Sequence, residues 1–187
     1  MMRIITGKAR GVRLATLEGE ATRPTTERVK EALFSTIQFD IEGRSVLDLF
    51  AGSGQLALEA LSRGASYAVM TDKSKDAFKI LKTNAEKTKL IDDCDIFNCD
   101  YKEYITKNKG RKFDIIFIDP PYAQKLYESV LTALLDADML KSTSLVICES
   151  GDGDVFGSNS ALEARFEVVK NARYSHSYIT ILTPVEA

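Results

Sequence analysis

The stretch from Phe113 to Tyr122, read FDIIFIDPPY, constrains the fold more than any other in this chain. β-Branched Ile115, Ile116 and Ile118 with Phe113 and Phe117 make a run that suits a strand buried on both faces, as in a parallel sheet. Pro120 and Pro121 lack the N–H that a ladder needs, so the strand must stop at Asp119. Proline also pushes its preceding residue towards extended geometry, which makes Asp119-Pro120-Pro121-Tyr122 a stiff loop. A strand that ends in an acid, two prolines and an aromatic ring either terminates a sheet at the surface or presents a carboxylate and a flat stacking face. The rest of the chain decides between these.

Strands alternate with helical patterns along the whole length. Met2 to Leu14 reads as a short hairpin with Lys8 and Arg10 in its turn region. Thr25 or Thr26 is placed to cap a helix running to about Ile37, with Val29, Leu33 and Ile37 on one face. Arg28 and Lys30 lie off that stripe and are expected to be free for a ligand. Ser45 to Phe50 is a buried strand, followed by the turn Ala51-Gly52-Ser53-Gly54 and a helix from Gln55 to Arg63 stopped at Gly64. Further strands are expected at Tyr67–Thr71, Asp95–Asn98 and Ser144–Cys148, and helices at Lys75–Thr88 and Leu126–Leu135. In the Lys75–Thr88 helix, Phe78, Leu81 and Ala85 are expected to point inward. After the loop Gly151–Ser160, Phe166–Lys170 and Ser177–Leu182 form an antiparallel pair. This order argues an α/β sheet covered on both faces in a single domain, residues 1–187, with a small N-terminal extension.

Composition narrows the function classes. At 44% hydrophobic and 28% charged residues the chain is an ordinary globular one, with no apolar run near the roughly 20 residues of a membrane span. Three cysteines in no C-x-x-C pair read as reduced thiols of a cytoplasmic protein. His176 is the only histidine, so a zinc site or a histidine-based triad lacks its parts and no metal is expected. Net charge is −2, yet residues 1–30 carry seven Lys and Arg against three Glu, so a basic head sits on an acidic body. That distribution suits an arm that touches phosphates, or a solvated terminus.

A strand, a glycine turn and a helix start make a crevice where backbone N–H groups meet a ligand. Asp72 follows Gly52 by 20 residues, the spacing at which an acid reaches ribose hydroxyls. Asp48 would crowd a pyrophosphate with like charge, so a cationic or amine-bearing ligand fits better than NAD. Acids at three strand ends, Asp48, Asp72 and Asp100, match the amino group, ribose and adenine of S-adenosylmethionine. Each also has a plainer reading, a turn or helix-cap role for Asp48 and a solvated strand end for the others.

VLDLFAGSG with FDIIFIDPPY resembles the Rossmann-like S-adenosylmethionine-dependent amino-methyltransferases. The stretches MRIITGKARGVRL, TRPTTERVKEALFSTI and LEALSRGAS narrow this, for they resemble the bacterial 16S ribosomal RNA guanine-N2 methyltransferases of the RsmD family. The resemblance is specific from Met2 to about Tyr122 and rests on strand pattern beyond it; Gln55-Leu56 departs from it where a smaller residue is expected. It implies a doubly wound, mostly parallel seven-stranded sheet, with residues 1–40 as a hairpin and helix that contact RNA and 41–187 as the catalytic core. It implies S-adenosylmethionine as cofactor, held by Asp48, Phe50, Ala51, Gly52, Ser53, Gly54, Asp72, Lys73, Asp100, Tyr101 and Asp119. Asp119, Pro120, Pro121 and Tyr122 become the catalytic loop, and Lys8, Arg10, Arg13, Arg23 and Arg28 the RNA contacts. The implied partner is 16S ribosomal RNA in the small subunit or its assembly intermediate, with a monomer as the default state. Two other readings compete: an adenine or cytosine amino-methyltransferase, for which 187 residues leave little target-recognition region, and a non-catalytic RNA-binding relic.

Overall fold

A computed structural model of the chain describes residues 2–16, 27–120, 126–174 and 176–185. The expected Thr25 or Thr26 cap, Arg23, Pro121 and Tyr122 lie outside the described residues. The chain divides into two compact units, Met1–Asp100 and Tyr101–Ala187.

In the first unit, α1 spans Glu27–Thr36, β1 Ser45–Asp48, α2 Gln55–Ser62, β2 Tyr67–Thr71, α3 Lys75–Lys87 and β3 Cys94–Phe97. β1 pairs parallel with β2, and β2 parallel with β3. Every residue of α2 is buried, as expected of a crossover helix returning a parallel strand to its sheet. Its stop is the expected one: Arg63 is the C-cap, and Gly64 follows at φ 108°, a conformation that other residues rarely adopt. α3 starts where the Ser74 hydroxyl accepts a hydrogen bond from the Ala77 N–H at 3.2 Å. Leu81 and Ala85 face inward as expected, whereas Phe78 is only half-buried.

The N-terminal hairpin is docked. Arg3 and Arg13 bridge antiparallel, and the two sides exchange backbone bonds from Ile4 to Val12 and from Leu14 to Met2. Its backbone then bonds α2. The N–H groups of Ile5 and Thr6 donate to the two Glu59 carboxylate oxygens at 2.8 and 3.0 Å. The Lys8 N–H donates to the Ser62 carbonyl at 2.8 Å, and the Ala9 N–H to the Ser62 hydroxyl at 3.0 Å. Gly7 sits at φ 88°, and a Cβ there would lie 1.7 Å from the Ser62 carbonyl oxygen. Only glycine lets the hairpin approach the helix so closely.

The same carboxylate corrects one expectation. Val29, Leu33 and Ile37 are buried as the stripe required, but Lys30 is buried too, at 1% exposure. Its ammonium lies 3.2 Å from Glu59 and donates to the Arg3 carbonyl at 2.6 Å, while Arg63 Nε meets Glu59 at 2.8 Å. Lys30 therefore joins α1 to the hairpin and α2 and is not free for a ligand. Burial pushes its pKa down, opposed by the Glu59 charge.

In the second unit, α4 spans Tyr101–Lys107, β4 Phe113–Ile118, α5 Tyr127–Asp136, β5 Leu140–Ser150, α6 Ser160–Glu163, β6 Phe166–Tyr174 and β7 Ser177–Pro184. All six residues of β4 are buried, the property read from its isoleucines. β5 runs well beyond its expected Ser144–Cys148 core. It pairs parallel with β4 through a register shift between Phe113 and Ile115, bridged by the Ser144 hydroxyl donating to the Phe113 carbonyl at 2.6 Å. The polar run Lys141-Ser142-Thr143 concealed this extension, as Lys141 reaches Asp114 at 2.7 Å. β7 pairs antiparallel with both β5 and β6, as expected of the last two strands. The short helices α4 and α6 were not anticipated; Tyr101, Tyr104 and Ile105 give α4 its buried stripe amid charged neighbours. The strands form a seven-stranded, mostly parallel sheet in the order β3-β2-β1-β4-β5-β7-β6, so the expected α/β class holds.

Candidate functional site

In the first unit the C-terminal ends of β1, β2 and β3 gather their acids and glycines. After β1 the chain turns through Ala51-Gly52-Ser53-Gly54. The Ala51 N–H donates to the Thr71 carbonyl at 3.0 Å, and the Thr71 hydroxyl to the Leu49 carbonyl at 3.0 Å, which locks the turn against β2. Gly54 is the N-cap of α2 at φ 80°, ψ 14°, and has no side chain with which to cap the helix. A Cβ on Gly54 would lie 2.8 Å from Leu81, so glycine also allows α2 and α3 to approach.

Asp72 lies just beyond β2, half-buried. One carboxylate oxygen accepts the Gly52 N–H at 2.9 Å and the other the Ser74 N–H at 2.8 Å. Asn98, just past β3, donates to the Asp72 carbonyl at 2.9 Å, and the Asp72 N–H donates to the Phe97 carbonyl at 3.2 Å. Asp48 is buried at 2% exposure, with its carboxylate 3.4 Å from the Phe50 N–H. Desolvation, with the Asp72 charge adding to it, pushes its pKa up to about 7, against the hydrogen bonds from the Phe50 and Ala57 N–H groups. Those bonds are the turn and helix-start role that the sequence also allowed. Phe50, Gly52, Ser53 and Asp100 are half-buried, Ala51 is buried, and Lys73 is exposed.

In the second unit, Asp119 follows β4 half-buried and Pro120 is buried, so β4 ends where the prolines required. Tyr101 opens α4 and is 3% exposed. Lys8, Arg10, Arg13 and Arg28, all in the first unit, present exposed side chains.

Sequence reasoning missed three side chains that hold this region. Asn84 of α3, fully buried, donates to the Ala15 and Ser53 carbonyls at 3.0 and 2.8 Å and accepts the Ala15 N–H at 2.8 Å. It ties the end of the hairpin segment to the glycine turn. Glu59 was masked by its apolar neighbours, although an acid inside LEALSR four residues before Arg63 was the available signal. Asn98 carried no signal of its own.

The arrangement has the parts that S-adenosylmethionine needs. Gly52 has open space where a Cβ would stand, Gly54 brings no side chain to the helix start, and an oriented acid stands at the end of β2. Asp48 is a buried carboxyl whose pKa is raised by desolvation and by the Asp72 charge. Fold and site together define a Rossmann-like methyltransferase, the class that takes its methyl group from S-adenosylmethionine. The chain belongs to the family described as Conserved hypothetical protein 95, whose profile matches residues 2–183. It is 35% identical over 149 residues to ribosomal RNA small subunit methyltransferase D of Escherichia coli strain K12, covering 80% of this chain and 74% of that one. The protein of the same name from Haemophilus influenzae is 34% identical over 151 residues, covering 80% and 78%. A solved structure of a hypothetical protein from Thermus thermophilus superposes with a TM-score of 0.80 at 28% identity, covering 99% and 100%. Among the described residues, no group of His, Cys, Asp or Glu is arranged to hold a metal ion, and no helix is long and apolar enough to cross a membrane.

Proposed function

We propose that this protein methylates the exocyclic N2 amine of one guanine in 16S ribosomal RNA, in the small subunit or its assembly intermediate. The observation that carries the reading is the Asp72 carboxylate fixed on the Gly52 N–H, which sets a ribose acceptor beside a glycine turn. The names of the family relatives support ribosomal RNA as the substrate class. The choice of guanine N2 rests on the motif resemblance.

When bound, S-adenosylmethionine supplies a methyl group already activated by its sulfonium sulfur. Asp72 accepts from the ribose hydroxyls, Asp48 offers a carboxylate to the ammonium, and Asp100 receives the adenine amine, while Phe50, Ala51, Ser53, Lys73 and Tyr101 complete the contacts. A guanine amine is a poor nucleophile because its lone pair is delocalised into the ring. The Asp119 carboxylate and the Pro120 carbonyl accept its two protons, which turns the lone pair out of conjugation and steadies the growing positive charge. Pro121 stiffens this loop, and Tyr122 gives the extruded base a stacking face. The amine proton leaves to Asp119 or to water.

Lys8, Arg10 and Arg13 contact RNA phosphates, and Arg23 and Arg28 close the site over cofactor and RNA. Residues 1–40 thus serve substrate binding and 41–187 chemistry, in a monomer working in the cytoplasm. The test is to incubate the protein and labelled S-adenosylmethionine with small subunits from cells lacking the activity, then map the label. A label on N2 of a single guanine is expected. Label on an adenine or cytosine, on duplex DNA only, or nowhere overturns the reading.

A further inference from the structure

Phe39 is 92% exposed, the most exposed large apolar side chain among the described residues, and nothing in the fold requires it to be there. It is not on a loose tip. Ile37 and Ile41, at 2% and 1% exposure, anchor the turn on either side of it. The Asp40 N–H donates to the Ile37 carbonyl at 2.9 Å and the Arg44 N–H to the Ile41 carbonyl at 3.1 Å. The Gly43 N–H then fixes the turn to the Gly64 carbonyl at 2.8 Å. The ring is held out in water by a rigid support.

Gln38 and Ile41 of the same turn line a cleft of about 410 Å³, together with residues that include Lys8, Ser62 and Arg63. That volume falls within the roughly 300–1,000 Å³ of ligand sites. Its charge is positive where the hairpin meets α2. Lys30 and Arg63 share the single Glu59 carboxylate, and exposed Lys8 adds a further positive charge. Arg63 is fixed, with its guanidinium 4.8 Å from the Phe34 ring and bonded to the Thr6 hydroxyl at 3.2 Å. The Lys8 backbone is pinned on Ser62. Exposed Asp40 and Glu42 carry the opposite sign on the Phe39 turn, with Glu42 lying against Gly64.

We propose that this cleft is a subsite for an unpaired nucleotide of the substrate RNA, apart from the base that is methylated. Its base stacks on Phe39 and its phosphate is held by Lys8 and Arg63. Unstacked RNA bases are commonly held on aromatic faces while basic side chains follow the backbone. The proposal rests on the reading of the protein as an RNA methyltransferase and adds a second point of grip.

The test uses the full chain and a single-stranded oligoribonucleotide carrying 2-aminopurine, whose fluorescence is quenched by stacking. Wild type is expected to quench it. Phe39→Ala should abolish the quench and weaken binding roughly 10- to 100-fold, with an unchanged salt slope and unchanged S-adenosylmethionine affinity. Phe39→Trp should restore both quench and affinity. Lys8→Ala should instead lower the salt slope by about one. Phe39 is so exposed that its loss does not threaten folding. If wild type methylates small subunits and Phe39→Ala matches it in every assay, the subsite is overturned and the function stands. If quenching depends on Phe39 but wild type transfers no methyl group to any RNA, the function falls and the subsite stands. A Phe39→Ala defect confined to assembled subunits, with protein-free RNA bound normally, means a protein-docking residue and overturns the subsite.

Discussion

The Gly52 N–H donates to Asp72 Oδ2 at 2.9 Å across the crevice that the glycine turn makes with the end of β2. With Oδ1 held by the Ser74 N–H, both carboxylate oxygens have one fixed donor and keep lone pairs for a ligand. As the proposed ribose acceptor, Asp72 is set in place before any cofactor arrives, so little ordering remains to be done on binding. Asp72→Ala should weaken S-adenosylmethionine roughly 10- to 100-fold, the scale of a lost charge-assisted hydrogen bond. Asp72→Asn should fall between, keeping one acceptor. Isothermal titration at fixed salt measures both.

With Asp48 in its proposed place at the cofactor ammonium, cofactor binding and stability should respond to pH in opposite directions. Its folded pKa, about 7, stands above the ordinary value of 3.8, so the native state holds the extra proton between those limits. Stability therefore falls as pH rises from about 4 to 7, by on the order of 4 kcal/mol if the group acts alone. An ammonium ligand favours the ionised form, so cofactor affinity should weaken by up to about tenfold per unit as pH drops below 7. Asp48→Asn should flatten both profiles and raise the melting temperature at pH 8. Thermal melts and titrations between pH 5 and 8 would decide; an unchanged stability profile in the variant removes Asp48 as the cause.

Glu59 accepts from the Ile5 and Thr6 N–H groups and binds Lys30 and Arg63, with its own side chain fully buried. Glu59→Gln leaves two cations without a countercharge, one of them buried, and should cost about 3–5 kcal/mol. Denaturant titration would register this as a lower midpoint. A loss under about 1 kcal/mol would mean that the hairpin is not held by this carboxylate.

Gly7→Ala forces a Cβ to within 1.7 Å of the Ser62 carbonyl at a backbone φ of 88°. The hairpin must then lift from α2, breaking the Lys8 and Ala9 bonds. Limited proteolysis should cut residues 5–12 faster in the variant, and RNA affinity should drop while cofactor affinity stays within about twofold. Equal cutting rates in both proteins would count against a docked arm.

Asp119→Ala should remove methyl transfer, with kcat down at least about a hundredfold while cofactor binding persists. Single-turnover assays with labelled cofactor separate the two effects. Turnover within a few-fold of wild type would end the role given to Asp119.

Much of this protein was determined by local sequence. The isoleucine run closed by two prolines fixed β4 and its end, because apolar β-branched residues and a missing N–H act on the chain wherever it lies. Gly52 and Gly54 with Asp48 and Asp72 announced the crevice, because left-handed turns and strand-end acids are written in adjacent residues. Tertiary structure alone decided the fate of side chains whose partners are remote. Lys30 reads as a solvent-facing cation on α1, yet it is buried on Glu59 and the Arg3 carbonyl, 29 and 27 residues away in sequence. Asn84 looks like any polar helix residue until Ala15 and Ser53 are brought to it. Phe39 is as apolar as its neighbours, yet its ring is exposed between buried Ile37 and Ile41. Periodicity records which face of an element is apolar. Which charge meets which carboxylate depends on distances that the folded chain alone sets.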